Sequence, residues 1–434
     1  MMKLKITALA LTALCLCSVA EAQKLKGIEE PEVTRLMKTL SADDMQGRAS
    51  FTPGGEKAAD FIASEFRKIK LAPLPGEVDF KQTFKVYHFT PASISVSLNG
   101  VGQPAENLFA RTTHPSINWT QAQQVETVTI PEGEDFRKAF VQLSRSDKDM
   151  LVLVHPGHKT MFTAYQRHLR AGSVIKEAGK GSSKIFVLTD QTTAPAFAVT
   201  AENKIEEKQL TNVGGMIEGK RKNEFVVFSG HYDHIGIQKP VDGDSIANGA
   251  DDDASGITAM MTLAKYYKKQ GKPERSILFV AFAAEEIGGY GSRHFSELLN
   301  PDEIVAMFNI EMVGKPSKFG PNSAYVTGYE RSNLGQLMQS SLSGTAFSIH
   351  PDPYPEQNLF YRSDNATLAR LGVPAHTISS VQIDKDKTYH TVKDEFEQLD
   401  MAHMTSMIKA IAIGSKNVVN GKETPTRVDK TQVQ

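Results

Sequence analysis

Between Phe225 and Ser379 the chain carries four apolar runs, and three of them lead straight into a histidine or a carboxylate. EFVVFSG ends on His231, SILFVAFAA on Glu285 and Glu286, and the IVAMFNI run on Glu311; VPAHTIS is the fourth. Continuous apolar runs of this kind are strands covered on both faces, and helices must do the covering. DDASGITAMMTLAKYYKKQ, between the first two runs, reads as such a helix with an acidic start. The expected fold is therefore α/β, a mostly parallel mixed sheet sandwiched by helices. In sheets of this type ligands bind beyond the carboxyl ends of the strands, which is where these polar residues fall.

Each junction has its own chemistry. In FSGHYDHIG, His231 can give a ring nitrogen to a metal, and Asp233, two residues on, points the same way and can orient a ligand. His234 points the opposite way and reads as structural. In NGADDDASG three consecutive aspartates are costly to assemble unless cations or a helix N-terminus offset their repulsion. A carboxylate there can bridge two metals through its two oxygens. The adjacent Glu285 and Glu286 can divide labour, one coordinating metal and the other taking a proton from water. Glu311, and His390 within YHTVKDEFEQLD, complete a set of imidazole and oxygen donors without thiolate, which suits a hydrolytic zinc site with open positions.

Outside this region the chain has a different character. With 49 Lys and Arg against 50 Asp and Glu among 434 residues, no charge excess calls for nucleic acid. MMKLK, the run ITALALTALCLCSVA and the small-residue site AEA read as a signal peptide over residues 1–22, so an exported protein, periplasmic or secreted, is expected. Both cysteines, Cys15 and Cys17, lie in that leader, and no other stretch is long enough to span a membrane. Residues 23–85 read as two amphipathic helices, with Ala58, Ile62 and Phe66 on one face of the second. Residues 86–212 form a β-rich insert with one helix near 165–178, residues 213–416 carry the metal motifs, and 417–434 read as a disordered polar tail.

HYDHIG, NGADDDASG, AFAAEEIGGYGS, NIEMVG and YHTVKDEFEQLD, in this order, resemble the motifs of the co-catalytic zinc family that includes bacterial leucyl aminopeptidase, aminopeptidase Y and glutamate carboxypeptidase. LSADDMQGRASFTPGGEKAADFIASEFRKIKL is similar to that family's opening segment. The resemblance implies two zinc ions: His231 and Glu286 on one, Glu311 and His390 on the other, and Asp252 bridging. It implies Glu285 as general base, Asp233 as the group orienting His231, and peptides as substrates. Glu311 departs from the pattern, where Asp is commoner, as does Asn365, where His is common. The insert is loosely similar to a protease-associated domain.

The reading that follows is an aminopeptidase. A carboxypeptidase or dipeptidase of the same family is the alternative, and Arg362 is the candidate group for a free α-carboxylate. A one-zinc glutaminyl cyclase does not need the five-ligand set, a non-catalytic peptide binder does not need Glu285, and a two-carboxylate glycosidase needs neither His231 nor His390.

Overall fold

The computed structural model describes residues 25, 27–120 and 123–433; the leader expected over 1–22 lies outside them. The chain divides into two compact units, Lys85–Gln209 and the remainder on either side of it.

In the larger unit, the end of β1 (Phe197–Ile217) from Leu210 onward, β2 (Arg221–His231), β3 (Arg275–Phe282), β4 (Ile304–Ile310), β5 (Ser323–Val326), β6 (Ser348–Pro351) and β7 (Ala375–Ser379) form one sheet. Its order is β6-β5-β7-β4-β2-β3-β1. The three central pairs, β2 with β3, β2 with β4 and β4 with β7, are parallel, whereas β1 joins β3 and β5 joins β7 antiparallel. The four runs read from the sequence are thus neighbours at the centre of a mostly parallel mixed sheet. All eight residues of β3 are buried, as two-sided cover requires.

Helices α1 (Glu30–Leu40), α2 (Pro53–Lys68), α3 (Gly256–Lys269) and α4 (Met401–Val419) bury apolar stripes against this unit. Ala58, Ile62 and Phe66 are fully buried, as their four-residue spacing predicts. A buried polar ladder ties the central strands together. Ser229 of β2 donates to Asn309 of β4 at 2.7 Å, and Asn309 donates to Thr377 of β7 at 3.0 Å. Thr377 in turn donates to Asn365 at 2.8 Å, while the Asn365 amide donates to the Phe360 carbonyl at 3.1 Å. Asn365 is therefore spent inside the core and does not serve the chemistry that a histidine at that position would offer.

The tail is not free. Arg427 donates to the Ile304 carbonyl at 2.8 Å, the Val428 N–H to Gly372 at 3.1 Å, and Arg275 to the Val418 and Glu423 carbonyls. Low apolar periodicity predicted disorder here, but arginine-to-carbonyl bonds and the buried Val428 fix the segment instead.

The Lys85–Gln209 unit has a four-stranded sheet in the order Leu108–Arg111, Lys184–Leu188, Met150–Val154, Glu126–Ile130. Phe136 and Phe162, from the helices Phe136–Ser144 and Lys159–Arg170, pack with Val152, Val154 and Phe186 on one face. Trp119, Val96 and Val199 pack with Leu151 and Leu153 on the other. The helix expected at 165–178 starts earlier and ends sooner, because Gly172 at φ +90° breaks it and residues 173–175 turn into a strand. A second helix, Phe136–Ser144, is capped by the Asp135 side chain on the Lys138 N–H.

Candidate metal centre

His231 is the last residue of β2 and Glu311 directly follows β4, its neighbour in the sheet. Glu285 and Glu286 lie three and four residues past the end of β3, after the chain turns at Ala284, which takes φ +60°. Asp252 stands in the irregular turn Ala250–Ser255 ahead of α3, and His390 in the long loop between β7 and α4.

Two groups of donors converge, sharing Asp252. His231, Asp252 and Glu311 form one; His234, Asp252, Glu286 and His390 form the other, and within each the donor atoms lie inside 4.8 Å of one another. His231 Nε2 is 3.2 Å from Asp252 Oδ1, and His390 Nε2 is 3.2 Å from Asp252 Oδ2 and 3.1 Å from Glu286 Oε2. The two oxygens of Asp252 thus face different groups, which is what a bridging carboxylate requires.

This grouping differs from the one the resemblance implied. Glu311 belongs with His231, and Glu286 with His390. The reason is sheet geometry: Glu311 leaves the strand beside His231 at once, whereas the turn at Ala284 carries Glu286 outward toward His390. A second correction concerns His234, which alternation along a strand would turn away. The strand ends at His231, alternation lapses, and His234 Nδ1 lies 2.9 Å from Glu286 Oε1.

Asp233 acts on His231 through its backbone. His231 Nδ1 lies 3.1 Å from the Asp233 carbonyl oxygen but 3.9 Å from its carboxylate, so the main chain fixes the ring and aims Nε2 at Asp252. The Asp233 carboxylate instead accepts the Glu285 N–H at 3.0 Å and the Ser50 hydroxyl at 3.2 Å, which positions Glu285.

Several supports were not singled out in the sequence. Asp253 accepts the N–H groups of His231, Gly256 and Met312, tying β2, α3 and the end of β4 together. Asp394 accepts the N–H groups of Asp251 and Asp252. Lys315 Nζ is 2.6 Å from Asp386, whose carboxylate also takes the N–H groups of Thr388 and Tyr389 next to His390. Arg48, fully buried, donates to the carbonyls of Leu40, Tyr232, Asn248 and Gly249, fastening the loops that carry His231 and Asp252. The available signal for Arg48 was QGR within the opening segment, where Gly47 has no room for a side chain: a Cβ would sit 2.4 Å from the Ala247 carbonyl oxygen.

Electrostatics fit a cation at this centre. Burial pushes Glu285 well above the usual carboxylate range and Glu311 up to about 7, with Asp252 raising Glu311 further. Burial also pushes Asp252 upward, but the imidazoles of His231 and His390 beside it outweigh that and hold the carboxyl well below its ordinary value. Contact with Asp252 and Glu286 raises His390 to about 10. The imidazoles serve here as counter-charges for the buried carboxylates, a role a divalent cation fills better. His231 Nε2, Asp252 Oδ2 and Glu311 Oε2 are buried and make no hydrogen bond, so both donor groups hold ligand atoms that are not spent on the protein. Nitrogen and oxygen donors of this kind suit zinc.

Two clefts open beside the centre. One, of about 420 Å³, is lined by Glu311, Tyr325, Leu359, Val381, Ile383 and Tyr389; the other, of about 520 Å³, by Glu285, Ser292, Arg293, Arg362 and Asp364.

Residues 212–413 match the model of peptidase family M28. The chain is 23% identical to a vacuolar membrane protease of Schizosaccharomyces pombe over 70% of its own length and 34% of the relative's. It is 26% identical to aminopeptidase YwaD of Bacillus subtilis over 62% of itself and 58% of that protein, so it spans less than two thirds of either. Among solved structures it resembles a zinc aminopeptidase from Bacillus subtilis, with a TM-score of 0.56, 18% identity, and coverage of 95% of this chain and 100% of that one. It also resembles an aminopeptidase from Aneurinibacillus sp. strain AM-1, with a TM-score of 0.54, 19% identity, and coverage of 95% and 97%. At these identities the likeness shows the fold. The matched segment contains every donor gathered at the centre, from His231 to His390, so the similarity to peptidase family M28 falls on the part of the chain that carries the site.

Proposed function

We propose that this chain is a zinc-dependent exopeptidase that releases N-terminal residues from peptides, with two zinc ions held about Asp252. The carrying observation is the pair of donor groups sharing Asp252, set beside Glu285 in a segment that matches a peptidase family. His231, Asp252 and Glu311 would hold one ion, and Asp252, Glu286 and His390 the other. Zinc bound there supplies Lewis acidity toward the scissile carbonyl and the attacking water. Glu285, whose carboxyl burial biases toward accepting a proton, takes the proton of the attacking water and returns it to the leaving amine nitrogen. Asp233 holds the Glu285 main chain, and the cleft beside Glu311 receives a substrate side chain.

One observation favours the carboxypeptidase alternative. Arg362 lines both clefts, with its guanidinium 3.3 Å from Gln357 and 3.4 Å from the Tyr389 hydroxyl, and it could meet a free α-carboxylate. The test measures zinc per chain and compares aminoacyl anilides with N-blocked, C-terminally free peptides. Two zinc ions and cleavage of the anilides support the aminopeptidase; cleavage only of the blocked peptides moves the assignment to a carboxypeptidase, and no metal with no turnover removes the enzyme. The Lys85–Gln209 unit, on this reading, is an accessory module, since both donor groups lie outside it. Among the described residues no helix is long and apolar enough to cross a membrane, and sequencing the N-terminus of the protein from its native host tests export with removal of residues 1–22.

A further inference from the structure

His234 has no part in the five-ligand set, yet its geometry matches that of the ligands. Its side chain is fully buried, and Nδ1 lies 2.9 Å from Glu286 Oε1 and 3.6 Å from Asp252 Oδ2. Its ring meets that of His390 edge to face at 5.7 Å. Gly249, at φ +55°, closes over the other edge of the ring, where a Cβ would sit 2.5 Å from Cγ and Cδ2. The ring is therefore held in one place, with Nδ1 facing the same space as Asp252, Glu286 and His390.

His234 Nδ1 is 2.9 Å from Glu286 Oε1 and 3.6 Å from Asp252 Oδ2, and His390 Nε2 is 3.1 Å from Glu286 Oε2 and 3.2 Å from the same Asp252 oxygen. Zinc bonds of 2.0–2.1 Å in a tetrahedron imply donors about 3.3 Å apart. These contacts lie near that spacing, and one donor atom from each of the four residues falls within 4.8 Å of the others. The other group offers three residues, His231, Asp252 and Glu311.

We propose that His234 is a fourth protein ligand, through Nδ1, to an ion also held by Asp252, Glu286 and His390. That position is then closed by protein donors, and the His231–Asp252–Glu311 position keeps the open place for water and the substrate carbonyl. Four protein donors mark closed sites and three with an open place mark catalytic ones, so the two ions differ in affinity and in role. The inference rests on the two-zinc reading above. Its competitor is a hydrogen bond alone, with the Nδ1–H of His234 donating to Glu286 and orienting that ligand from outside.

The experiment is a zinc titration of the full mature chain against a competing chelator, for the wild type, His234→Ala and His234→Gln. Glutamine keeps an N–H for Glu286 but is a poor zinc donor. Both variants should lose more than about 100-fold in affinity for the tighter ion, beyond the 10–100-fold typical of a lost outer partner, and change the weaker ion by less than about 3-fold. If His234→Gln binds within about 10-fold of the wild type, His234 is an orienting group and the proposal falls. Circular dichroism and melting of the metal-free proteins separate lost folding from lost coordination. Should both variants fail to fold, nitrogen-15 spectra of the wild type decide: Nδ1 of His234 must give up its proton to the first equivalent of zinc, and retention of that proton overturns the proposal. A wild type that takes up no zinc overturns the two-zinc reading itself, whereas two ions of equal affinity, indifferent to His234, overturn only this inference.

Discussion

The carboxylate of Asp394 accepts the main-chain N–H of Asp252 at 3.0 Å, although the two residues are 142 positions apart in the chain. It also accepts the N–H of Asp251, with Lys315 Nζ 3.6 Å away. Asp394→Ala leaves two buried N–H groups without an acceptor and Lys315 without one of its counter-charges. Unmet donors of this kind cost about 1–3 kcal/mol each, so urea unfolding should show a loss of about 2–6 kcal/mol. Asp394→Asn keeps one acceptor oxygen and should lose less.

Arg48 answers four carbonyls from three stretches of chain. Arg48→Met should destabilise the fold by about 3–5 kcal/mol, the range for breaking a buried charged network. Arg48→Lys, with a single ammonium in place of the guanidinium fork, should fall between. Because the carbonyls belong to Tyr232, Asn248 and Gly249, added zinc should recover less stability in Arg48→Met than in the wild type, as read from melting with and without the metal.

Glu285→Gln should keep the zinc content and lower kcat by about 10²–10⁴-fold, the usual worth of a positioned acid or base. Asp233 holds the Glu285 main chain, which the substitution leaves in place, so KM should change little. A variant with unchanged kcat would remove the proton-transfer role.

His376 is buried in β7, with Nε2 2.7 Å from the Ser332 hydroxyl and Nδ1 2.8 Å from the Thr327 carbonyl. Burial pushes its pKa down from 6.5 to about 4. Between those values the unfolded chain binds a proton that the folded chain refuses, so stability is whole above pH 6.5 and falls as the pH drops toward 4. The gap is worth about 3 kcal/mol. His376→Gln should flatten the acid limb of a stability–pH curve measured in urea; an unchanged slope would assign the acid loss elsewhere.

The local chemistry was legible in the sequence where one residue type carries the signal. Apolar runs ending in His231, Glu285 and Glu311 gave central strands, because two-sided burial leaves a continuous apolar trace and the first polar residue past it must reach the sheet edge. Ala58, Ile62 and Phe66 marked a buried helical stripe by spacing alone. The supports were less visible, since Arg48, Asp394 and Lys315 act on main-chain atoms or on each other, and nothing in their local pattern names a partner.

By itself, then, the sequence determined the fold class, the donor types and the strand ends on which they stand. Only the tertiary structure decided how the donors group. Chain order runs His231, Asp252, Glu286, Glu311, His390, but β2 lies between β3 and β4 in the sheet, so both glutamates follow neighbours of the strand bearing His231. The immediate exit of Glu311 and the turn at Ala284 before Glu286 separate them. The end of β2 at His231 likewise frees His234 from strand alternation and brings it to Glu286. These outcomes depend on distances between segments far apart in the chain, which a pattern of neighbours along it does not contain.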